Sequence, residues 1–291
     1  MNATTGHLLW KYTTGNWVQS SPAVANGVVY VGSVDSNVYA LNASTGSLLW
    51  KYTTGNWVVS SPAVANGVVY VGSEDYNVYA LNAGTGALLW KYTTGGSVQS
   101  SPAAVNGVVY VGSLDGNVYA LNARTGALRW KYTTGNPTGA GVFSSPAVAN
   151  GVVYFGTIYS DDSVYALNAF TGALLWRYTT GAPVSGSLTS SSPAVANGVV
   201  YVGSLDGNLY ALNARTGSLL WKYTTGRSVE SSPAVANGMV YVGSDDWNIY
   251  AFGLTGSDTP ALPERPDPQT LSPDLSLPAS QPAAKLPATD E

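Results

Sequence analysis

The sequence predicts an all-β protein, a six-bladed β-propeller with four-stranded antiparallel blades. Three observations support this: a tryptophan ends each copy of a repeat, four short β-forming segments lie in each copy, and Asn-Gly pairs recur in phase with the tryptophans. Successive tryptophans are 40, 40, 40, 46 and 45 residues apart, as is typical of propeller blades. They are Trp10, Trp50, Trp90, Trp130, Trp176 and Trp221.

The strand pattern is clearest in the first complete repeat, where we name the segments inner, second, third and outer. They span residues 20–25, 28–32, 38–42 and 48–52. Asn26-Gly27 joins the inner and second strands and is typical of a type I′ hairpin turn. The second strand is apolar throughout rather than alternating, which indicates that both of its faces are covered, as in stacked blades.

The two ends of the repeat region predict how the ring closes. Residues 8–12 have the pattern of an outer strand, whereas the last repeat stops after a third strand at 249–252. We therefore expect the N-terminal strand to complete the sixth blade, in a 3+1 closure that gives a monomeric ring. Because the first motif begins partway through its pattern, we also expect the sequence to derive from a longer chain.

The amino-acid composition argues against several classes of function. Only 10% of the 291 residues are charged, which argues against a nucleic-acid partner. Cysteine is absent and His7 is the one histidine, so the sequence offers no disulfide, thiolate metal site or histidine cluster. No apolar run approaches the roughly 20 residues needed to span a bilayer. Residues 1–6 have neither the basic nor the apolar region of a signal peptide, so we expect no signal peptide in this sequence.

The domain boundary falls where the composition changes. Residues 1–253 hold the repeats, whereas 254–291 hold eight prolines and no aromatic residue. Such a segment buries too little apolar surface to offset the entropy of ordering it. We predict a propeller over 1–253 and a disordered proline-rich tail or linker over 254–291.

A family resemblance rests on the segment Ala-Leu-Asn-Ala-Ser-Thr-Gly-Ser-Leu-Leu-Trp at 40–50. It resembles the tryptophan-docking motif AxDxxTGxxxW of pyrroloquinoline-quinone-type propellers, with Asn in place of Asp. Intact copies lie at 40–50, 80–90, 120–130, 166–176 and 211–221, and a split copy joins Ala251 to Thr5, Gly6 and Trp10. The resemblance implies that each of the six tryptophans docks between its own motif's alanine and a neighbouring motif's glycine.

The same family contains quinone-dependent alcohol or sugar dehydrogenases and non-catalytic propellers, such as the propeller lipoprotein of the outer-membrane β-barrel assembly machinery. The resemblance implies eight blades, a calcium-ligand set and often a cysteine pair for the enzymes. This sequence has six repeats and no cysteine, and Glu74 and Glu230 are the only glutamates in 1–253. We therefore expect a scaffold with no catalytic residues, cofactor or metal, in an extracytoplasmic location by family resemblance. A quinone-dependent dehydrogenase and an architectural spacer or sensor of a larger protein are the alternatives.

A candidate binding surface follows from strand direction, which places the second-to-third turns and the outer-to-inner loops on one face. Acids gather in those turns, aromatic residues lie beside them, and the long connections 136–143, 158–162 and 182–189 are on the same side. We name this the acidic-aromatic face and predict that it binds a protein segment or a glycan. Its candidate residues are Trp17, Trp57, Tyr76, Trp247, Asp35, Asp75, Asp115, Asp206, Asp245 and Asp246.

Two other interpretations of these acids remain open. Asp-Gly at 115–116 and 206–207 is also ordinary turn chemistry, because a carboxylate caps a tight turn well. The pairs at 161–162 and 245–246 could be local calcium ligands, although calcium requires six to eight oxygens.

Overall fold

The structure, a computed structural model, describes residues 5–135, 141–157, 161–180 and 191–253. The chain divides into two units, Met1–Leu254 and Thr255–Glu291, and the second lies outside the described residues. The predicted tail at 254–291 therefore also lies outside them. So do residues 136–140, 158–160 and 182–189 of the long connections. The described residues contain no helix long and apolar enough to cross a membrane.

Within the described residues, each of the first five repeats contributes the same succession of four strands, and the last repeat contributes the first three of them. The inner strands are β1 (Ala23–Ala25), β5 (Ala63–Ala65), β9 (Ala103–Val105), β13 (Ala147–Ala149), β17 (Ala194–Ala196) and β21 (Ala234–Ala236). The second strands are β2 (Val28–Gly32), β6 (Val68–Gly72), β10 (Val108–Gly112), β14 (Val152–Gly156), β18 (Val199–Gly203) and β22 (Met239–Gly243). The third strands are β3 (Asn37–Asn42), β7 (Asn77–Asn82), β11 (Asn117–Asn122), β15 (Ser163–Asn168), β19 (Asn208–Asn213) and β23 (Ile249–Gly253). The outer strands are β4 (Leu48–Thr53), β8 (Leu88–Thr93), β12 (Leu128–Thr133), β16 (Leu174–Thr179) and β20 (Leu219–Thr224).

These strands form six antiparallel sheets, which match the six predicted blades. Five sheets have four strands in the order inner, second, third, outer, as in β1-β2-β3-β4. The sixth has three strands, β21-β22-β23. The all-β propeller prediction is confirmed, and we number the blades one to six in chain order.

Local chemistry explains the hairpins and a shorter inner strand than expected. Asn26 and Gly27 both have positive φ (50° and 75°), as a type I′ turn requires. The inner strand begins at Ala23 rather than at Ser20, because Pro22 has no N–H to donate. The Ser20 hydroxyl instead accepts a hydrogen bond from the Gly32 N–H at 3.1 Å.

The apolar core lies between neighbouring blades. In the cluster at the first junction, Tyr30 and Val38 of blade one pack with Val58, Val69 and other residues of blade two or its entry loop. Where a blade has a neighbour on each side, both faces of its second and third strands are thus covered, which is why these strands are apolar without alternation.

The predicted closure of the sixth blade by residues 8–12 is not confirmed. These residues form no strand, and within the described ranges β23 pairs with β22 alone. Residues 8–12 lie instead against blade one: the Trp10 Nε1–H donates to the Ala43 carbonyl at 2.9 Å, and the Tyr12 and Tyr39 ring centroids are 5.6 Å apart. The sequence contains an alternative to this closure. Thr255-Gly256 follows the third strand of the last repeat, so the motif of that repeat does not need the Thr5-Gly6 pair from the N-terminal segment.

Candidate binding surface

The second-to-third turns and the loops between blades meet on the acidic-aromatic face through backbone hydrogen bonds. At the junction of blades one and two, the Glu74 N–H donates to the Trp57 carbonyl at 2.9 Å. The Val34 N–H makes the same bond to the Trp17 carbonyl one blade earlier. Trp57 and Tyr76 are therefore positioned at one junction, and Trp17 lies at the equivalent place on blade one.

The four candidate aromatic side chains are solvent-exposed. Relative exposure is 73% for Trp17, 49% for Trp57, 50% for Tyr76 and 90% for Trp247. The guanidinium of Arg227, a residue that the sequence did not predict to lie at this surface, stacks 5.5 Å from the Trp247 ring centroid. Within the described residues, no strand of blade six pairs with a strand of blade one.

Two of these aromatic residues occupy strained turn positions. Tyr76 and Trp247 have φ of 71° and 69°, at the place where blades three and five have Gly116 and Gly207 (80° and 79°). A bulky side chain in the left-handed region is uncommon and costs free energy that glycine does not. Such strain is often retained where the side chain has a function.

The acids of the turns are engaged within the fold. The Asp75 Oδ2 accepts hydrogen bonds from the Gly55 N–H at 2.7 Å and from the Tyr79 hydroxyl at 2.5 Å, while its Oδ1 accepts from the Asn77 N–H at 3.1 Å. Gly55 belongs to the loop that leaves the preceding blade. We call this arrangement the aspartate latch.

The latch recurs around the blade series. Asp35, Asp115 and Asp246 accept the equivalent three hydrogen bonds. Asp206 accepts those from the Asn208 N–H and the Tyr210 hydroxyl. The sequence predicts these acids as turn caps or ligands and does not predict the bond to the neighbouring blade, although the Asp-x-Asn-x-Tyr spacing recurs in it.

Electrostatics in the latch favour the ionised aspartate. Burial alone would raise the pKa of Asp75, but hydrogen bonds from Tyr79, Gly55 and Asn77 lower it below its ordinary value. The hydrogen bond from Tyr250 is the main cause that lowers the pKa of Asp246 to about 2. Burial, together with the hydrogen bond to the Asp35 carboxylate, raises the pKa of Tyr39 to about 12.

In two blades the residue directly before the latch aspartate is also an acid. The Glu74 carboxylate accepts a hydrogen bond from the Gln99 Nε2 at 2.8 Å, and burial raises its pKa despite this bond. Asp245 holds the matching position in blade six, where its N–H donates to the Ser228 carbonyl at 2.9 Å. Of the acids predicted to bind a ligand, Asp245 alone lies outside the latch.

The latch position of blade four is different. Asp161 is buried, forms an ion pair with Arg177 and accepts the Tyr165 hydroxyl at 2.7 Å. Burial, and then the charges of Asp161 and Asp206, raise the pKa of Asp162. Among the described residues, no group of three or more His, Asp or Glu side chains is arranged to hold a metal ion.

The tryptophans contact the next blade at two points. The Trp50 Nε1–H donates to the Ala83 carbonyl at 2.9 Å, and a Cβ added to Gly86 would lie 2.7 Å from the Trp50 ring. The same pair of contacts joins Trp10 to Ala43 and Gly46, Trp90 to Ala123 and Gly126, Trp130 to Ala169 and Gly172, and Trp176 to Ala214 and Gly217. Trp221 packs with Tyr201 and Phe252, and its equivalent glycine lies outside the described residues.

Two family models match the repeated sequence. The sequence model described as the β-propeller of the beta-alanine-activating enzyme matches residues 1–196. The chain belongs to this propeller family. A second model, the outer membrane protein assembly factor BamB, matches residues 160–277. The resemblance to pyrroloquinoline-quinone-type repeat propellers is thereby confirmed. A search of the curated proteins finds no match.

Solved structures share the fold at low sequence identity. BamB from Moraxella catarrhalis is 20% identical with a TM-score of 0.57, and the match covers 84% of this chain and 87% of that one. The computationally designed Ika8 protein is 19% identical with a TM-score of 0.67, covering 80% and 70%. The quinohemoprotein alcohol dehydrogenase ADHIIG from Pseudomonas putida HK5 is 20% identical with a TM-score of 0.66, covering 81% of this chain and 52% of the enzyme. The chain thus shares the β-propeller fold of these structures.

Proposed function

We propose that this propeller is a non-catalytic binding module that holds a protein segment on its acidic-aromatic face. The observation that carries the proposal is the placement of Tyr76 and Trp247 at left-handed turn positions with their rings exposed. Glycine meets the backbone requirement there without strain, as Gly116 and Gly207 do. The backbone geometry of the turn therefore does not require aromatic residues, which supports a role for the rings in binding.

The chemistry of the face suits a protein segment. Exposed tryptophan and tyrosine supply large apolar area at a low cost in side-chain entropy, and they are enriched among the residues that dominate binding energy. The latch fixes the turn that carries Tyr76, so the ring is presented on a rigid support. Asp245 and Glu74 add negative charge near Trp247 and Trp57, which favours a segment with cationic side chains.

The comparison with BamB supports a protein partner over a glycan. A model whose description names outer membrane protein assembly matches residues 160–277, and this range includes the turn of Trp247. We extend the proposal to an extracytoplasmic location on the same basis. Fractionation of cells that express the full natural reading frame tests this part, and recovery in the cytosol would contradict it.

The binding test compares two variants on a displayed library of random peptides and on a glycan array. The test variant combines Trp17→Ala, Trp57→Ala and Trp247→Ala. The matched control is Phe170→Ala, which removes an exposed ring from the opposite face, in the loop between β15 and β16. We expect the wild type and the control to select the same peptides and the triple variant to lose at least tenfold in affinity.

Two results would overturn the proposal. Equal peptide binding by the triple variant would exclude the aromatic face as the site. Selection of glycans alone would replace the protein segment by a carbohydrate partner.

A further inference from the structure

In blade six, the face that would pack against a following blade is more exposed to solvent than the same face in the other blades. Tyr30 of blade one is 3% exposed, whereas its counterpart in blade six, Tyr241, is 38% exposed. The contrast is larger in the third strand, where Val38 is fully buried and Ile249 is 83% exposed. In blades one to five this face packs against the following blade.

The entry to blade one carries the matching uncovered surface. Val58, in the loop that enters blade two, is fully buried against Gly32 of blade one, and its N–H donates to the Ser33 carbonyl at 3.1 Å. The equivalent residue at the entry to blade one is Val18, which is 50% exposed. In a repeat of this junction, Val18 would meet the Ser244 carbonyl and Gly243 of blade six.

The β23 edge offers backbone groups in the right phase for an outer strand. The Ser244 N–H donates to the Asn248 carbonyl at 3.0 Å, so the peptide groups of Asn248 face β22. Because peptide groups alternate along a strand, those of Ile249 and Ala251 face the opposite side, where no described strand pairs with β23. An open edge of this kind is a template for another strand.

Residues 8–13 have the sequence that fits this edge. They read Leu-Leu-Trp-Lys-Tyr-Thr, identical to β4 and β8. Trp10 and Tyr12 already make an outer strand's contacts with the following blade, and the Gly15 N–H donates to the Asp35 carboxylate at 2.7 Å. Within the part of the chain that the structure describes, no third strand pairs with residues 8–13.

A series of serine hydrogen bonds links successive blades and ends at blade one and at blade six. The N–H of the second serine before each inner strand donates to the hydroxyl of its counterpart in the next blade, over 2.8 to 3.0 Å. The five links run through Ser21, Ser61, Ser101, Ser145, Ser192 and Ser232. Within the described residues no sixth link joins the Ser232 N–H to the Ser21 hydroxyl.

We infer that blade six is an acceptor site for the N-terminal segment of a second copy of this chain. Its own N-terminal segment is anchored on blade one by Trp10, Tyr12 and Gly15 and does not pair with β23. Residues 8–13 of the second copy pair with β23 in the register of the other blades, and Val18 of that copy covers Tyr241 and Ile249. The contact is heterologous, because one copy contributes its first blade and the other its last.

Engineered cysteines test both the register and the identity of the partner. Thr53 donates to the Asn37 amide oxygen at 2.6 Å in blade one, and the equivalent pair at the proposed contact is Thr13 and Asn248. The chain has no cysteine of its own. We expect the Thr13→Cys, Asn248→Cys double variant to form disulfide-linked dimers and longer species under mild oxidation. The control, Thr53→Cys with Asn248→Cys, should not cross-link, because Thr53 is already placed in blade one.

The products of this experiment decide between the alternatives. A single chain that cyclises without gain in mass would show that its own N-terminal segment closes the ring, and would overturn the inference. Absence of any cross-link would overturn it as well.

A proline pair tests the contact without covalent capture. Ala251→Pro removes an N–H that faces the empty side of β23, whereas Lys91→Pro removes one that faces outward from the complete blade two. Light scattering should show masses above the 30.2 kDa monomer that grow with concentration in the wild type and in Lys91→Pro. Ala251→Pro should remain monomeric. A monomeric wild type at all concentrations, or equal assembly of the two variants, would refute the second-copy contact.

Discussion

The carboxylate of Asp75 accepts a hydrogen bond at 2.7 Å from the backbone N–H of Gly55, which lies 20 residues earlier in the loop leaving the preceding blade. The same oxygen accepts the Tyr79 hydroxyl, so one side chain closes its own turn and holds two blades together. Hydrogen bonds to a charged acceptor contribute more to stability than neutral ones.

Replacement of this carboxylate should therefore destabilise the propeller. Asp75→Asn keeps the shape but removes the charge and turns a donor toward the Gly55 N–H, and we expect a loss of about 1 to 3 kcal/mol in the free energy of unfolding. Glu74→Gln is the matched control on the neighbouring residue and should change stability by less than about 0.5 kcal/mol. Urea unfolding at pH 7 measures both. Similar free energies of unfolding for the two variants would show that the aspartate latch does not stabilise the propeller.

The latch also predicts how stability depends on pH. The pKa values of Asp35, Asp75, Asp206 and Asp246 are lowered in the folded state, the last to about 2. A lowered folded-state pKa gives stability that is complete above the ordinary value of 3.8 and is lost as pH falls through the folded value. The raised pKa values of Glu74, Asp162 and Glu230 act in the opposite sense, since protonation of these acids relieves a cost of burial.

We therefore expect stability to hold or rise slightly from neutral pH to about pH 4 and to fall steeply below it. Chemical unfolding followed over pH 2 to 7 measures this profile. In Asp75→Asn the free energy of unfolding should fall less steeply with decreasing pH below about pH 4. A wild-type curve that declines steadily from pH 7 would contradict the assignment.

The glycines that receive the tryptophans provide a separate test of docking. Gly86 and Gly67 both have positive φ (72° and 75°), so alanine pays the same backbone penalty of about 1 to 2 kcal/mol at either position. A Cβ on Gly86 would lie 2.7 Å from the Trp50 ring, whereas none on Gly67 meets an atom within 4 Å. Gly86→Ala should thus cost about 1 to 3 kcal/mol more than Gly67→Ala, because the ring must shift. Equal thermal stability of the two variants would show that the ring does not depend on this contact.

Much of the fold could be predicted from the sequence because the repeat is nearly exact. The recurrence of Trp50 and its counterparts determines the blade period, and Asn26-Gly27 fixes a hairpin through the φ values it tolerates. Closure could not be predicted in this way, because strand pairing between chain ends depends on the curvature accumulated over all blades. The sequence of residues 8–13 shows only that they suit an outer strand, and not which third strand they meet.

The candidate site was predicted less completely, for a related reason. Trp17 and Trp57 could be recognised as exposed because they lie in loops, where packing does not require them. The engagement of Asp35 and Asp75 by the preceding blade could not be read from a turn motif alone, since the donor is a backbone N–H that carries no side-chain signature.

Tyr76 links stability to the proposed function in a single residue. Its φ of 71° strains a tyrosine but not a glycine, and among the described residues its half-exposed ring takes part in no aromatic stacking. Tyr76→Gly should therefore raise the free energy of unfolding by up to about 1 kcal/mol, because relief of the left-handed conformation exceeds the extra chain entropy of glycine in the unfolded state. Ser36, with φ of 69° at the same turn position of blade one, supplies the control, since Ser36→Gly should gain a similar amount.

The two variants should differ in binding. On the peptides selected by the wild type, Tyr76→Gly should lose affinity several-fold while Ser36→Gly keeps it, because only the first removes an exposed ring. A Tyr76→Gly protein that is less stable than the wild type would mean that the tyrosine ring supports the fold, and backbone strain at Tyr76 would then not indicate a role in binding.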